Sequence, residues 1–138
     1  MDIRYTSDDG TVTDTNHLAR FTDDITDAAA RGGRDLRVAP KFADLLAQHG
    51  FENVRAEVLK LPMGPWPKDK TLKMIGMCHR EQFLQGLAGI GMGLFTRVLR
   101  WSKEEVEVYL ALVREDIGNR RFHGYWKRYR IRVCCLIG

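Results

Sequence analysis

Cysteine is scarce in this chain, and long apolar runs are absent from it. The three cysteines are Cys78, Cys134 and Cys135, an odd number with two adjacent, which suits neither a disulfide framework nor a zinc site. No apolar run approaches the roughly 20 residues that a membrane-spanning helix needs. The N-terminus also lacks the basic and apolar regions of a secretory signal. We therefore expect a reduced cytoplasmic protein that has no membrane partner.

The composition is that of a globular protein, and its charge is uneven. The chain has 138 residues, 44% hydrophobic and 29% charged, which favours a single domain over residues 1–138. Its formal net charge is +4, and basic residues concentrate between Arg114 and Arg132, interleaved with Trp126 and Tyr129. Such a mixture can mark a nucleic-acid surface. Here the basic residues alternate along a strand-like segment, so we favour solvated arginines on two faces and expect no nucleic-acid partner.

The hydrophobic pattern predicts an α/β fold with about three strands and four to five helices. Strands are predicted at residues 2–6, 51–62 and 125–137, and the apolar end of the last, 133–137, suits the centre of a sheet. Helices are predicted at residues 16–30, 40–50, 71–99 and 102–118. Ser102 and Glu105 form the S-x-x-E capping box that opens the last helix.

Four glycines interrupt the predicted helix 71–99, at Gly86, Gly89, Gly91 and Gly93. Their spacing does not match a phosphate-binding loop, because no G-x-G-x-x-G pattern, following lysine or preceding strand accompanies them. Each glycine weakens a helix by about 1 kcal/mol relative to alanine. The run therefore indicates close approach of a backbone or a ligand, or alternatively tight helix packing or a broken helix.

A stiff aromatic loop, Pro65-Trp66-Pro67, separates a predicted strand from that helix. Proline fixes its own backbone and pushes the preceding residue out of the helical region, so the loop presents Trp66 in few orientations. The indole could fill one end of the core or form the wall of a binding pocket.

The residues that can carry chemistry favour proton transfer. No serine-histidine-aspartate signature and no paired metal-ligand motif occurs in the sequence, so we expect no metal. His79 and His123 are catalytic candidates because imidazole titrates near neutral pH. Tyr125 lies two residues after His123, so in an extended segment the two share one face and Tyr125 can act as a hydrogen-bond donor. Asp8 and Asp9 could orient or accept a proton, or they could simply form a turn.

Five stretches of the chain together resemble one enzyme family. They are SDDGT, LLAQHGFENVRAEVLKLPMGPWPKD, LKMIGM, LFTRVLRWSKEEVEVYLALVREDI and HGYWKRYRIRV. In this order they resemble the C-terminal half of the fungal UMTA-type (LaeA-like) class I S-adenosylmethionine-dependent methyltransferases. The resemblance extends over nearly the whole chain. It implies a methyltransferase sheet of which this chain supplies the later strands, with the closing strand central and antiparallel to its neighbours.

The cofactor-binding half of that family has no counterpart in the sequence. Such enzymes hold S-adenosylmethionine with a glycine-rich turn after the first strand and an acid after the second, and this chain has neither. The resemblance therefore implies a substrate lobe, for which we expect no cofactor. In the family, the loop of Trp66 and the helices after it cover the substrate. The substrate-binding candidates are accordingly large side chains of this region: Trp66, Phe95, Trp101, Tyr109 and Met92.

Two kinds of function remain open. A substrate lobe with an apolar pocket and one acid–base group could cyclise or isomerise a fungal polyketide or terpenoid intermediate without a cofactor. Alternatively the chain is a non-catalytic pseudo-methyltransferase module, or a methyltransferase fragment whose cofactor half is a separate chain. We also expect a homodimer, because the strand DIRYT would otherwise leave an unpaired edge.

Overall fold

The computed structural model describes residues 2–133 and 135–136. In chain order its elements are β1 (Asp2–Thr6), α1 (His17–Arg31), a 3-10 turn (Ala39–Lys41), α2 (Phe42–Gln48), β2 (Phe51–Glu52), β3 (Arg55–Pro62), α3 (Lys70–Arg97), α4 (Lys103–Gly118), β4 (Tyr125–Arg132) and β5 (Cys135–Leu136). Each predicted helix is present, and the α/β class is confirmed.

The long helices begin where polar side chains cap their first turn. The Asn16 side chain accepts the backbone N–H of Ala19 at 3.0 Å at the start of α1, and Asp69 caps α3 in the same way. The predicted capping box of α4 is formed: Ser102 Oγ accepts from the Glu105 N–H at 3.1 Å, and Glu105 accepts from the Ser102 N–H at 2.7 Å. Such caps satisfy backbone donors that have no partner inside the helix.

The closing strand lies at the centre of the main sheet. The strand order is β1-β4-β3, and β4 is antiparallel to both neighbours. Its register with β3 runs from Arg55 opposite Arg132 to Pro62 opposite Tyr125. This arrangement confirms the central antiparallel strand that the resemblance implies, and it fits a truncated methyltransferase-like fold.

The ends of two predicted strands differ from the prediction. Residues 51–62 divide into β2 and β3, because Asn53 between them adopts the left-handed conformation, with φ 54°. Strand β4 ends at Arg132, and β5 pairs antiparallel with β2 in a separate two-stranded sheet. The apolar end at 133–137 therefore does not continue the centre of the main sheet through β5. Residues 134 and 137 of that prediction lie outside the described residues.

Helices α1, α3 and α4 pack together, and α1 and α3 also contact the sheet. The largest fully buried side chains are Phe21, Phe95, Leu18, Leu87 and Leu110. From the sheet, Trp126 packs edge-on against Phe83 of α3, with 4.8 Å between ring centroids. Val58 of β3 points away from these helices and is 50% exposed. None of the helices in residues 2–133 is long and apolar enough to cross a membrane.

Candidate functional site

Three strand ends meet at one edge of the main sheet. Thr6, at the end of β1, and Pro62, at the end of β3, both lie opposite Tyr125, the first residue of β4. The carboxyl ends of β1 and β3 therefore point to the same edge, which is where open α/β sheets bind their ligands. The loops at this edge contain most of the polar side chains that the sequence marked for proton transfer.

The turn after β1 is held by hydrogen bonds from its own residues. Asp9 Oδ1 accepts from the backbone N–H of Thr11 at 3.1 Å and from its hydroxyl at 2.7 Å. Ser7 Oγ accepts the backbone N–H of Val12 at 2.9 Å, and Gly10 has a φ of 73°, which glycine adopts without strain. These bonds fix Asp9 with its second carboxylate oxygen directed out of the turn.

That second oxygen orients His123. The Nδ1–H of His123 donates to Asp9 Oδ2 at 2.6 Å, and the His123 backbone N–H donates to the Thr11 hydroxyl at 3.0 Å. The hydrogen bonds from Thr11 and from His123 lower the pKa of Asp9 far below its usual range. A histidine that donates from Nδ1 to a carboxylate keeps the lone pair of Nε2 for another proton. His123 is thus held in one orientation, and its Nε2 takes no part in the bond to Asp9.

A second group of side chains lies beside this pair. The Tyr125 hydroxyl donates to Asp8 Oδ1 at 2.7 Å, Lys60 forms an ion pair with Asp8, and the ammonium lies 4.8 Å from the centroid of the Tyr125 ring. Lys60 and then Tyr125 lower the pKa of Asp8 through these hydrogen bonds, and the bond to Asp8 raises the pKa of Tyr125. We call Asp8, Asp9, Lys60, His123 and Tyr125 the edge cluster.

Trp66 connects the edge cluster to a cavity. Its Nε1–H donates to the backbone carbonyl of Gly124 at 3.0 Å, and its ring lies 5.5 Å from the His123 ring, centroid to centroid. The other side of the loop borders a cavity of about 320 Å³, whose wall includes Met63, Trp66 and Phe122. The same cavity has Lys73, Arg80 and Arg120 along its border. Trp66 therefore has both a fixed hydrogen bond and a position on a cavity wall.

His79 lies in a different place. Its Nδ1–H donates to the Pro62 carbonyl at 2.9 Å, and its ring meets Trp126 edge-on with 5.0 Å between centroids. Burial lowers the pKa of His79, so the ring is neutral at neutral pH. It borders a cavity of about 530 Å³ between the main sheet and helices α1 and α3, which we call the sheet cavity.

The other predicted substrate-binding residues are not near Trp66. Phe95, Trp101 and Tyr109 form one aromatic cluster, with ring centroids 5.0 to 5.6 Å apart. Phe95 is fully buried, and Met92 packs against the same core. Tyr109 donates to Asp24 at 2.6 Å at the border of a shallow acidic pocket that Trp101 also lines. These side chains therefore belong mainly to the contact between α1, α3 and α4.

Sequence reasoning missed three residues that shape these sites. The sequence places Lys60 in a predicted strand. Side chains alternate along that strand, so Lys60 lies on the opposite face of the sheet from Leu59 and Leu61. Trp126, next to Tyr125, was read as one aromatic among arginines and proves to be almost completely buried. Gly76 was not among the four glycines noted, and it is the one against which the Trp66 loop packs closely. Strand alternation could have identified the first two of these residues.

The described residues form no cluster of metal ligands, and the acids after β1 are engaged with other side chains. Within residues 2–133 and 135–136, no three His, Cys, Asp or Glu side chains are grouped so as to hold a metal ion. The acids after β1 are Asp8 and Asp9, and both carboxylates are already bonded within the edge cluster. Because both acids are engaged in this way, we derive no step through S-adenosylmethionine.

Comparison with known proteins identifies relatives of the chain. No family model and no solved structure matches it. A protein named methyltransferase pytC, from Aspergillus terreus, is 34% identical over 123 residues, which cover 89% of this chain and 38% of the relative. The probable methyltransferase tdiE of Emericella nidulans is 29% identical over 124 residues, which cover 39% of that relative. The secondary metabolism regulator LAE1 of Cochliobolus heterostrophus is 27% identical and covered to 41%.

These matches extend over about nine-tenths of the chain, but the chain spans only about two-fifths of the length of the relatives. The strand order is the one that the resemblance implies, and the relatives are methyltransferases of the kind that the sequence motifs indicate. The resemblance is thereby confirmed: the chain is a homologue of the fungal LaeA-like methyltransferases.

Proposed function

We propose that this chain catalyses proton transfer on an apolar intermediate of secondary metabolism, in a cyclisation or isomerisation that needs no cofactor. The observation that carries the proposal is the His123–Asp9 pair at the carboxyl ends of the strands, next to the indole of Trp66. The metabolic context comes from the name of the LAE1 relative. A polyketide or terpenoid ketone is the substrate class that suits an aromatic wall and a single base.

In this proposal, Nε2 of His123 is the atom that takes and returns the proton. Its Nε2 takes a proton from a carbon next to a substrate carbonyl, so the C–H bond breaks and its electron pair forms the enolate. The imidazolium then returns the proton to another atom of the substrate, and the product contains the same atoms as the substrate. The hydrogen bond from Nδ1 to the Asp9 carboxylate keeps the imidazole ring in one orientation during the transfer. An oriented general base of this kind contributes roughly 10²–10⁴-fold in rate.

The neighbouring residues have separate roles in this proposal. Tyr125 directs its hydroxyl hydrogen at Asp8, so we assign it to positioning the Asp8–Asp9 turn. Trp66 offers the ring against which an apolar substrate stacks, with the 320 Å³ cavity beside it. His79 is the second acid–base candidate, and it would act in the sheet cavity.

The test is deuterium uptake from D₂O into 1-tetralone and larger aromatic ketones, followed by mass spectrometry with the purified chain. We expect uptake above the buffer rate, and a loss of about 100-fold or more in His123→Ala. His49→Ala is the matched control, because His49 is exposed and bonds only to the Leu45 carbonyl among the described residues. Full activity in both His123→Ala and His79→Ala would reject the proposal.

Methyl transfer is the second candidate, and the names of pytC and tdiE favour it. It would need a cofactor site supplied from outside the residues described here. Titration calorimetry with S-adenosylmethionine separates the two candidates, since we expect the chain alone to give no binding heat. A dissociation constant in the micromolar range or below would favour methyl transfer over the cofactor-free reaction.

We further propose that the chain works as a homodimer in the cytoplasm. Among the described strands, β4 alone pairs with β1, so the other edge of β1 is open to a second copy. A stable two-fold interface buries roughly 2,000 Å² or more. Light scattering coupled to size exclusion checks this, because a stable particle of 15.9 kDa would contradict it.

A further inference from the structure

The sheet cavity has the size and lining of a ligand site. Its volume is about 530 Å³, within the range of roughly 300–1,000 Å³ that small-molecule sites occupy. The walls are mostly apolar and come from the sheet and from both adjacent helices: Ile3, Ile25, Leu36, Leu61, Phe83 and Ile90. It is separate from the edge cluster, since no member of that cluster borders it.

Trp126 borders this cavity and has a buried N–H without a partner among the described residues. Its side chain borders the cavity and is 3% exposed, and its Nε1–H has no acceptor among the residues that the structure describes. Buried polar groups are nearly always paired, and an unpaired one costs about 1–3 kcal/mol. Trp66 illustrates the usual case, because its Nε1–H is bonded to the Gly124 carbonyl. A ligand in the cavity would change the surroundings of the Trp126 side chain, so the indole N–H resonance of Trp126 can report binding.

The charges at the cavity border indicate the polar group of such a ligand. Arg128 borders the cavity, is exposed, and forms no ion pair with any described acid. Its neighbour on the same strand face, Arg130, is by contrast bonded to Glu57 at 3.3 Å. His79 borders the cavity in its neutral form, so the only charge on the lining is the Arg128 guanidinium. A carboxylate forms two parallel hydrogen bonds with a guanidinium, and it is the anionic group that joins directly to a hydrocarbon chain of the kind this lining suits.

We propose that the sheet cavity binds an apolar carboxylic acid, with its hydrocarbon part between α1, α3 and the sheet, beside the Trp126 ring, and its carboxylate toward Arg128. This site is independent of the proposed proton transfer at His123. It adds a binding function to the face of the sheet that packs on the helices.

Two glycines of α3 provide a matched pair of variants. Gly86 borders the cavity, and the Cβ atom of a side chain there would meet only Ile90, at 4.0 Å. Gly89 lies three residues on, does not border the cavity, and has open space around it. Gly86→Leu should therefore fill part of the cavity without disturbing the helix, and Gly89→Leu should leave the cavity empty.

The experiment is a titration of the ¹⁵N-labelled chain with decanoate, followed through the indole N–H resonances of its three tryptophans. The Trp126 resonance, assigned by its loss in Trp126→Phe, should shift saturably at micromolar decanoate, while the Trp101 resonance stays in place. Gly86→Leu should weaken binding at least tenfold, and Gly89→Leu should not. Arg128→Gln should weaken decanoate binding but not the binding of methyl decanoate.

Any of three results would overturn the proposal. The first is the absence of a saturable shift at Trp126, and the second is equal affinity in Gly86→Leu and Gly89→Leu. The third is equal affinity for decanoate and its methyl ester in the unmodified chain, which would remove the carboxylate from the assignment. The backbone amide spectrum of each variant shows that the variant is folded. Since His123 is unchanged in all of them, proton transfer at His123 stays a separate measurement, whereas exchange at His79, which borders the same cavity, is not independent of these variants.

Discussion

Replacing Gly76 by alanine should move the Trp66 loop away from α3. A Cβ atom built at Gly76 lies 2.1 Å from the carbonyl oxygen of Gly64 and 2.9 Å from its carbonyl carbon. Both are backbone atoms, so the overlap cannot be relieved by turning a side chain. The two glycines are also tied by a hydrogen bond, from the Gly64 N–H to the Gly76 carbonyl at 3.1 Å. Gly64 has a φ of 107°, a backbone conformation that glycine adopts without strain.

The magnitude follows from three contributions. Overpacking at a tight contact costs about 1–3 kcal/mol. Moving the Trp66 loop away from α3 breaks the hydrogen bond between Gly64 and Gly76. Leaving its buried donor, the Gly64 N–H, without a partner costs about 1–3 kcal/mol more. Alanine returns about 1 kcal/mol, because it favours a helix over glycine. The net expectation for Gly76→Ala is a loss of about 1–5 kcal/mol in the free energy of unfolding, and the middle of that range corresponds to roughly 10 °C in Tm.

Gly89→Ala is the control for this experiment, since it makes the same chemical change in the same helix. No atom lies within 4 Å of the position that its Cβ would take, so only helix propensity should act. We expect a gain of up to about 1 kcal/mol. The assay is urea and thermal unfolding followed by far-UV circular dichroism. If Gly76→Ala proved as stable as Gly89→Ala, the close approach of α3 to the Trp66 loop would be refuted.

Three further predictions concern single side chains. Ser102→Ala removes the capping box of α4 and should lower the free energy of unfolding by about 1 kcal/mol, measured by urea titration. Burial lowers the pKa of His79 in the folded state, so as the pH drops the imidazole takes up its proton in the unfolded chain before it does so in the folded chain. The free energy of unfolding should therefore fall as the pH drops below about 6.5. His79→Gln should remove that part of the pH dependence, and an unchanged profile would contradict the assignment. Hydrogen bonds from Thr11 and His123 lower the pKa of Asp9 in the folded state. The stability that the ionised Asp9 contributes is therefore complete above about pH 4 and is lost as the pH falls further. Asp9→Asn should have a lower free energy of unfolding at pH 7, and that free energy should fall less with acid than in the unmodified chain.

Features set by neighbours in sequence could be predicted, because the relevant interactions are local. The capping box of α4 depends on two residues three positions apart. The strands and long helices follow from the period of their apolar residues. The break at Asn53 could not be read in this way, because asparagine tolerates both extended and left-handed backbone. The break separates β2 from β3, and β5 pairs with β2, so this pairing could not be predicted without the break.

The candidate site was only partly visible for a similar reason. His123 and Tyr125 were expected on one face, and both do reach the turn of Asp8 and Asp9. Phe95 has the same chemistry as a pocket aromatic, yet it is buried between helices whose packing no short motif specifies. The glycine run was also ambiguous. Gly91 contacts the Leu110 side chain closely, whereas Gly86, Gly89 and Gly93 do not touch a neighbouring element in this way.

The position of β4 explains why the two histidines must be tested with different variants. Tyr125 and Trp126 are consecutive, so the pleat directs Tyr125 to the edge cluster and Trp126 to the sheet cavity. The two sites therefore share backbone at the start of β4, and at Pro62, whose carbonyl binds His79. A variant that moves this shared backbone, such as Gly76→Ala, would change both sites, and any loss of activity in it would assign neither. His123→Ala and the cavity-filling change at Gly86 each alter one site alone, so those two variants can distinguish proton transfer from ligand binding.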